Sequence, residues 1–180
     1  EEQNLPKLRQ YVAEFGDRFY RHHLYLYGDQ GTQKTTQAMI IGKSLIEKGF
    51  TVQYTLMDIL IKNLMQLSFG DGDREFDRNI READCLILDE SFDPKSVTLY
   101  HSKYQISYLT TFLKERLEML QRAIVFVSEV PVTRIGEVFD ESLQDVIERN
   151  TQGTRLHFRD HYTLKDDFDP DELWDVDKYE

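Results

Sequence analysis

Between Leu24 and Thr36 the chain reads Leu-Tyr-Leu-Tyr-Gly28-Asp29-Gln30-Gly31-Thr32-Gln33-Lys34-Thr35-Thr36. A short apolar run breaks at a glycine, turns through a small polar loop and enters a helix at Lys-Thr. That is the layout of a phosphate-binding P-loop. Backbone N–H groups of the loop and of the helix N-terminus converge on an anion, Lys34 reaches the β- and γ-phosphates, and the Thr35 hydroxyl serves Mg²⁺. Gly28 to Thr36 is therefore the candidate site for ATP or ADP. One position departs from the pattern, which asks for Gly immediately before the Lys where this chain has Gln33. A Cβ there crowds the path on which backbone approaches phosphate. Three outcomes are open: a shifted loop that still binds ATP weakly, a loop that takes diphosphate only, or a loop without catalysis that remains a structural element. The intact Lys34-Thr35 pair favours retained binding with slow or partner-dependent hydrolysis.

A second element supports the first. Ala83-Asp-Cys-Leu-Ile-Leu-Asp89-Glu90 is a continuous apolar run that closes on two carboxylates. Parallel strands covered on both faces read this way. An Asp at the end of such a strand can hold the Mg²⁺ hydration shell, and the Glu after it can orient a water for attack on the γ-phosphate. Alone, the pair is equally well a strand terminus meeting solvent; some fifty residues after a P-loop it reads as a Walker B element.

The remaining segments alternate. Leu8, Tyr11, Val12, Phe15 and Phe19 fall near 3.6-residue spacing in an amphipathic helical segment from about Leu5 to Arg21. Strands are predicted at Leu24–Tyr27, Thr51–Thr55, the Walker B run, Ala123–Val127 and Arg155–Phe158. Helices are predicted at about Lys34 to Lys48, Met57–Leu67, 76–84, Lys103 to Gln121 and Val132 to Arg149, with Gly49 as the stop of the P-loop helix. Five strands alternating with helices describe an α/β domain with a parallel sheet and helices on both faces. The 180 residues make one domain. The single cysteine, Cys85, sits in the Walker B strand and reads as a small core residue; a disulfide within the chain is excluded.

The net charge of −11 argues against non-specific DNA binding driven by electrostatics alone. Much of it lies in residues 163–180, an acidic tail carrying Phe168, Leu173, Trp174 and Tyr179, which reads as a solvated end or as a segment that docks on a basic partner. No signal peptide or run of some eighteen apolar residues is present, so no membrane association and a cytoplasmic location are expected. The chain opens Glu-Glu-Gln without a Met, which points to a preceding partner-binding domain absent from this chain.

Three stretches together, Gly28-X-X-Gly31-X-X-Lys34-Thr35, Leu-Ile-Leu-Asp89-Glu90 and Val-Phe-Val-Ser128-Glu129-Val-Pro131, resemble the DnaC/DnaI/IstB branch of the AAA+ ATPases. So does Leu-X-X-Tyr-Val-X-X-Phe ahead of the first strand. Those proteins are bacterial and phage helicase loaders and transposition ATPases. The resemblance covers about Leu5 to Tyr162 and implies a P-loop NTPase core over residues 1–162, sheet order 5-1-4-3-2, and little or no lid domain. It also implies an oligomer that acts on a replicative helicase and single-stranded DNA. In that family a polar residue at the end of strand four senses the γ-phosphate; Ser128 and Glu129 stand there, and an acidic residue would repel the phosphate unless a metal or base compensates. Val-Ile-Glu148-Arg149-Asn resembles the arginine-finger segment, which makes Arg149 the finger candidate, against the alternative of surface pairing with Glu148 or Asp145. A neighbour's finger stabilises charge in the transition state.

The leading expectation is a helicase loader. The alternatives are a nucleotide-gated adaptor that hydrolyses weakly or not at all, favoured by Gln33 and Glu129, and an IstB-like transposition ATPase. A small-molecule P-loop kinase fits the Asp-Glu strand end less well. Elsewhere, His22-His23, after Arg18 and Arg21, reads as an exposed basic turn with no further metal ligand near in sequence. His101, Lys103, Tyr104 and Tyr108 could meet single-stranded nucleic acid through charge and stacking. An amphipathic helix that packs both tyrosines inward explains the aromatics equally well. Lys43, Lys48, Lys62, Arg74, Arg78 and Arg81 are scattered and form no stripe.

Overall fold

In the computed structural model, which describes residues 4–16, 22–93, 95 and 103–159, the alternation becomes a five-stranded sheet. The strands are β1 (Leu24–Gly28), β2 (Val52–Leu56), β3 (Cys85–Asp89), β4 (Ala123–Ser128) and β5 (Arg155–Phe158). All pairings are parallel, in the order β2-β3-β4-β1-β5. This is the expected 5-1-4-3-2 order read from the other edge.

The helices are α1 (Asn4–Ala13), α2 (Lys34–Glu47), α3 (Met57–Ser68), α4 (Arg74–Glu82), α5 (Lys103–Lys114), α6 (Ile135–Val138) and α7 (Glu141–Asn150). Handedness sorts them between the two faces. The path from β1 to β2 crosses the sheet in one direction, and every later crossover runs back the other way. Because parallel crossovers are right-handed, α2 covers one face and α3, α4, α5 and α7 cover the opposite one. The core divides accordingly. Leu24, Leu26, Ile87, Val125 and Val127 pack with Leu8, Tyr11 and Ile41 on the α1–α2 face. Tyr25, Leu86, Leu88 and Phe126 pack with Leu60, Phe112 and Val146 on the other.

Helix α1 fills the space that one crossover leaves beside α2. Lys48, at the end of α2, donates to the Val12 and Ala13 carbonyls at 2.6 and 2.8 Å and so caps α1. Asn4 donates to the His157 carbonyl of β5 at 2.8 Å. The part of the expected opening helix that includes Arg18, Phe19 and Arg21 lies outside the described residues, as do His101, Tyr162 and the acidic tail.

Two expectations need correction. His23 does not share an exposed turn with His22: it is 3% exposed, and its Nδ1 accepts from the Ile124 N–H at 3.2 Å. Burial, aided by the Arg116 charge, depresses its pKa to about 3, so it is a neutral acceptor at the start of β1. Nor does α5 turn its tyrosines inward. Tyr104 is 76% exposed and Tyr108 37%, because Leu109, Phe112 and Leu113, at i, i+3 and i+4, take the core face. The side chain of Lys103 lies outside the described residues.

The predicted helix from Lys103 to Gln121 also changes character partway. Beyond Lys114 it continues as a π-helical turn, Glu115–Met119. That turn holds Arg116, 1% exposed, whose guanidinium donates to four backbone carbonyls: Ile80, Arg81, Ala83 and Ala123, at 2.7–3.0 Å. A π-bulge offsets the side-chain register that a regular helix would impose. Arg116 thereby joins the end of α4 to the starts of β3 and β4.

Candidate functional site

The sheet order places β4 between β1 and β3, so the loops after β1 and β3 leave the sheet on opposite sides of the β4 terminus. A cleft of about 520 Å³ opens there. Its lining includes Gln30, Gly31, Gln33, Lys34, Thr35 and Thr36 from the P-loop, Asp89 and Glu90 from the β3 end, and Ser128 and Glu129 from the β4 end. Ligands of open α/β sheets bind in such crevices beyond the carboxyl ends of the strands.

The loop is built around two glycines and one residue that replaces a third. Gly28 has φ 148°, and a Cβ on it would sit 1.9 Å from the Phe158 carbonyl oxygen; β1 can end against β5 only without a side chain there. Gly31 has φ 83°. Gln33 is the residue before α2, held left-handed at φ 62°, ψ 21°. The loop therefore keeps the backbone course that glycine would give, and the strain rests on Gln33 rather than on a displaced Lys34.

Lys34 is 7% exposed. Its Nζ donates to the Asp29 carbonyl at 2.7 Å and to Thr32 Oγ1 at 3.3 Å, while the Thr32 hydroxyl donates to the same carbonyl at 2.8 Å. Burial lowers the Lys34 pKa; Glu129, then Asp89 and Asp29, oppose that shift. At β3, Asp89 is 5% exposed, and its Oδ1 accepts from the Thr35 hydroxyl at 3.3 Å and from the Glu90 N–H at 2.8 Å. Its Oδ2 accepts from the Tyr54 hydroxyl at 3.0 Å. Thr35 and Asp89, hydroxyl beside carboxylate, form a hard-oxygen donor set suited to Mg²⁺. When bound, that ion would neutralise charge on the nucleotide's terminal phosphates.

Glu90 extends into the cleft in a left-handed conformation, φ 50°. Its pKa is raised by partial burial and by the neighbouring Asp89, Asp93, Asp58 and Glu129 charges. Ser128 is 2% exposed; its hydroxyl donates to the Ser91 carbonyl at 2.5 Å and accepts from the Val130 N–H at 3.0 Å. Ser128 thus fastens the loop after β3 to the end of β4. Arg149 is not among the cleft residues. It stands 66% exposed on α7, where Nη2 meets Glu118 Oε1 at 3.2 Å and Nε donates to the Asp145 carbonyl at 3.3 Å.

Sequence reasoning missed Tyr54, Asp93 and Lys95. Tyr54 pairs with Ile87 across β2 and β3, which makes Asp89 its diagonal neighbour, within reach of an aromatic side chain. Only strand register exposes that contact. Asp93 and Lys95 line the cleft in the loop that Glu90 begins, and their proximity to Glu90 in sequence was the available signal.

No protein-family model matches the chain, and no curated protein sequence matches it. Solved structures do. The chain is similar to the DnaC helicase loader at 20% identity and TM-score 0.65, over 88% of this chain and 89% of that one. It is similar to DnaI at 15% identity and TM-score 0.65, over 87% and 79%. To AMPPCP-bound DnaA from Aquifex aeolicus it is similar at 19% identity and TM-score 0.64, over 85% of this chain but only 44% of that protein's length. All three are AAA+ proteins, and at these identities the likeness is one of fold. The P-loop AAA+ fold implied by the sequence resemblance is the fold of this chain. The expected near-absence of a lid falls on residues beyond the described ones.

Proposed function

We propose that this chain is an ATP-binding protein of DNA replication that works as a helicase loader, assembling on the replicative helicase and single-stranded DNA in a nucleotide-dependent manner. The observation that carries this reading is the near end-to-end likeness to the DnaC helicase loader, reciprocal at 88% and 89%, joined to a P-loop whose Lys34, Thr35 and Asp89 face one cleft. In the proposed cycle, loop N–H groups and Lys34 hold the phosphates, Thr35 and Asp89 hold Mg²⁺, and Glu90 orients the attacking water. Arg149 lies away from its own subunit's cleft, and the proposal gives it to a neighbour's, as an arginine finger in an oligomer. The DnaA neighbours solved with AMPPCP support nucleotide binding. No helix among the described residues is long and apolar enough to cross a membrane.

The test is a calorimetric titration with Mg-ATP and Mg-ADP, with Lys34→Ala as control and phosphate release followed in the same samples. The expected result is specific binding that falls at least about tenfold in the variant, since a charge-assisted contact to phosphate is worth roughly 1.5–3 kcal/mol. Release should be slow alone and rise with helicase and single-stranded DNA. Equal binding by wild type and Lys34→Ala would overturn the reading. A second reading rests on Gln33 and Glu129: an adaptor that binds nucleotide and engages a replication protein without turnover. Binding with no phosphate release under any partner condition selects it.

A further inference from the structure

The end of β4 opens onto the cleft shared by the P-loop and Asp89, since β4 lies between the strand that carries the P-loop and the strand that carries Asp89; a phosphate chain held by Lys34 and extended toward Asp89 would meet it there. Beyond Lys34, which reaches that phosphate, a site that favours a triphosphate gains from a further donor or cation at the end of β4. This chain supplies neither from β4. The Ser128 hydroxyl gives its proton to the Ser91 carbonyl and takes one from the Val130 N–H. Of the residues that line the cleft at the end of β4 (Val127, Ser128 and Glu129), Glu129 alone carries a charge, and it is exposed.

The charge balance of the cleft points the same way. Four carboxylates line it (Asp89, Glu90, Asp93 and Glu129) against two ammonium groups (Lys34 and Lys95). Lys34, which reaches the β- and γ-phosphates, and the loop N–H groups supply the attraction for phosphate, and the carboxylate of Glu129 stands against it in the same cleft. Glu129 lines one cleft with Lys34, and its effect on the Lys34 ammonium is greater than that of Asp89 or Asp29. A further phosphoryl group adds about one negative charge to the cleft that Glu129 lines. At a few ångströms and the effective dielectric of a protein surface, one like charge weakens binding roughly tenfold or more.

We infer that Glu129 makes the cleft select a nucleoside diphosphate over the corresponding triphosphate, so that the protein by itself rests in its diphosphate form. The inference rests on the nucleotide-binding reading above and deepens it. Glu129 acts as the discriminating residue. A partner or neighbouring subunit that neutralises it would tip the site toward the triphosphate.

The experiment is titration calorimetry of ADP and ATP at equal, saturating Mg²⁺, on wild type, Glu129→Gln, Glu129→Asp and Lys34→Ala. Glu129 is exposed, so its variants are expected to fold; a thermal melt checks this. Wild type should bind ADP about tenfold or more tighter than ATP. Glu129→Gln should tighten ATP by roughly that factor while moving ADP less than about twofold, and Glu129→Asp should keep the preference because it keeps the charge. Equal wild-type affinities, or a Glu129→Gln effect of the same size on both nucleotides, would overturn the inference and leave nucleotide binding standing. Failure of both nucleotides to bind wild type, or binding indifferent to Lys34→Ala, would remove the underlying reading and the inference together.

Discussion

At the end of the sheet where the strands begin, the buried side chains of Arg116 and His23 are closed upon the backbone; where the strands finish, Lys34 and Asp89 are buried beside an open cleft. Arg116 spends its guanidinium on four carbonyls, and His23 accepts the Ile124 N–H. At the surface of the same end, Thr51 and Asp84 exchange hydrogen bonds just ahead of β2 and β3 at 2.7–3.0 Å. At the opposite end Lys34 and Asp89 are also buried, yet they face a cleft; Lys34 donates to the loop after β1, and Asp89 accepts from Thr35, Tyr54 and the Glu90 N–H. Backbone strain is concentrated there as well. Gln33, Glu90 and Phe92 are three of the four non-glycine residues with positive φ among the described residues, and all three lie in the loops after β1 and β3. Buried polarity holds the fold together at one end and is kept available for a ligand at the other, and strain accompanies the second use.

The largest effect expected from this contrast is at the closed end. Arg116→Met keeps the apolar stem of the side chain but leaves four carbonyls, three of them in buried bonds, without the guanidinium donor. A loss of about 3–5 kcal/mol of unfolding free energy is expected in urea denaturation. A loss below about 1 kcal/mol would show that water or neighbouring groups replace the guanidinium, and the contrast would weaken.

A smaller effect is carried by pH. His23 is neutral in the fold, with its pKa lowered to about 3 from 6.5. Between those values the unfolded chain binds a proton that the folded chain refuses, so stability is full above pH 6.5 and declines as pH falls toward 3. The decline approaches 1.4 kcal/mol per pH unit as an upper limit. His23→Gln should flatten the stability–pH curve in that window when the two proteins are unfolded in urea at pH 7, 6 and 5. Parallel curves would mean that His23 is hydrated or charged in the fold.

The smallest effect belongs to the open end. Gln33→Gly relieves a left-handed conformation and should raise stability by about 0.5–1 kcal/mol, a melting shift of a few degrees upward. A decrease would mean that the Gln33 side chain stabilises the loop by more than its backbone strain costs.

The open end was the more legible of the two in sequence. Phosphate chemistry demands residue types at fixed local spacing, so the P-loop and the Asp89-Glu90 strand end were readable within windows of a dozen residues. The strands were readable because central parallel strands are apolar throughout. The closed end depends on partners brought together from afar: Arg116 reaches carbonyls 33–36 residues upstream, and His23 meets a residue 101 positions away. One local clue existed. Leu109, Phe112, Leu113, Arg116 and Leu117 form a single helical stripe, and a charged residue within an apolar stripe is either an error of phase or a buried charge. The π-turn that accommodates it has no comparable signature. Tyr104 and Tyr108 left two readings level for the opposite reason, since an aromatic pair four residues apart imitates a core stripe even when its neighbours take the core.

Helix α2 carries Lys34 and Thr35 on its first turn and the Lys48 clamp on α1 just past its last. Its 14 residues form a strut about 21 Å long. The residues aimed at the cleft and the clamp on the opening helix are thus mounted at the two ends of one element, and a substitution that bends α2 near Gly42 would reach both.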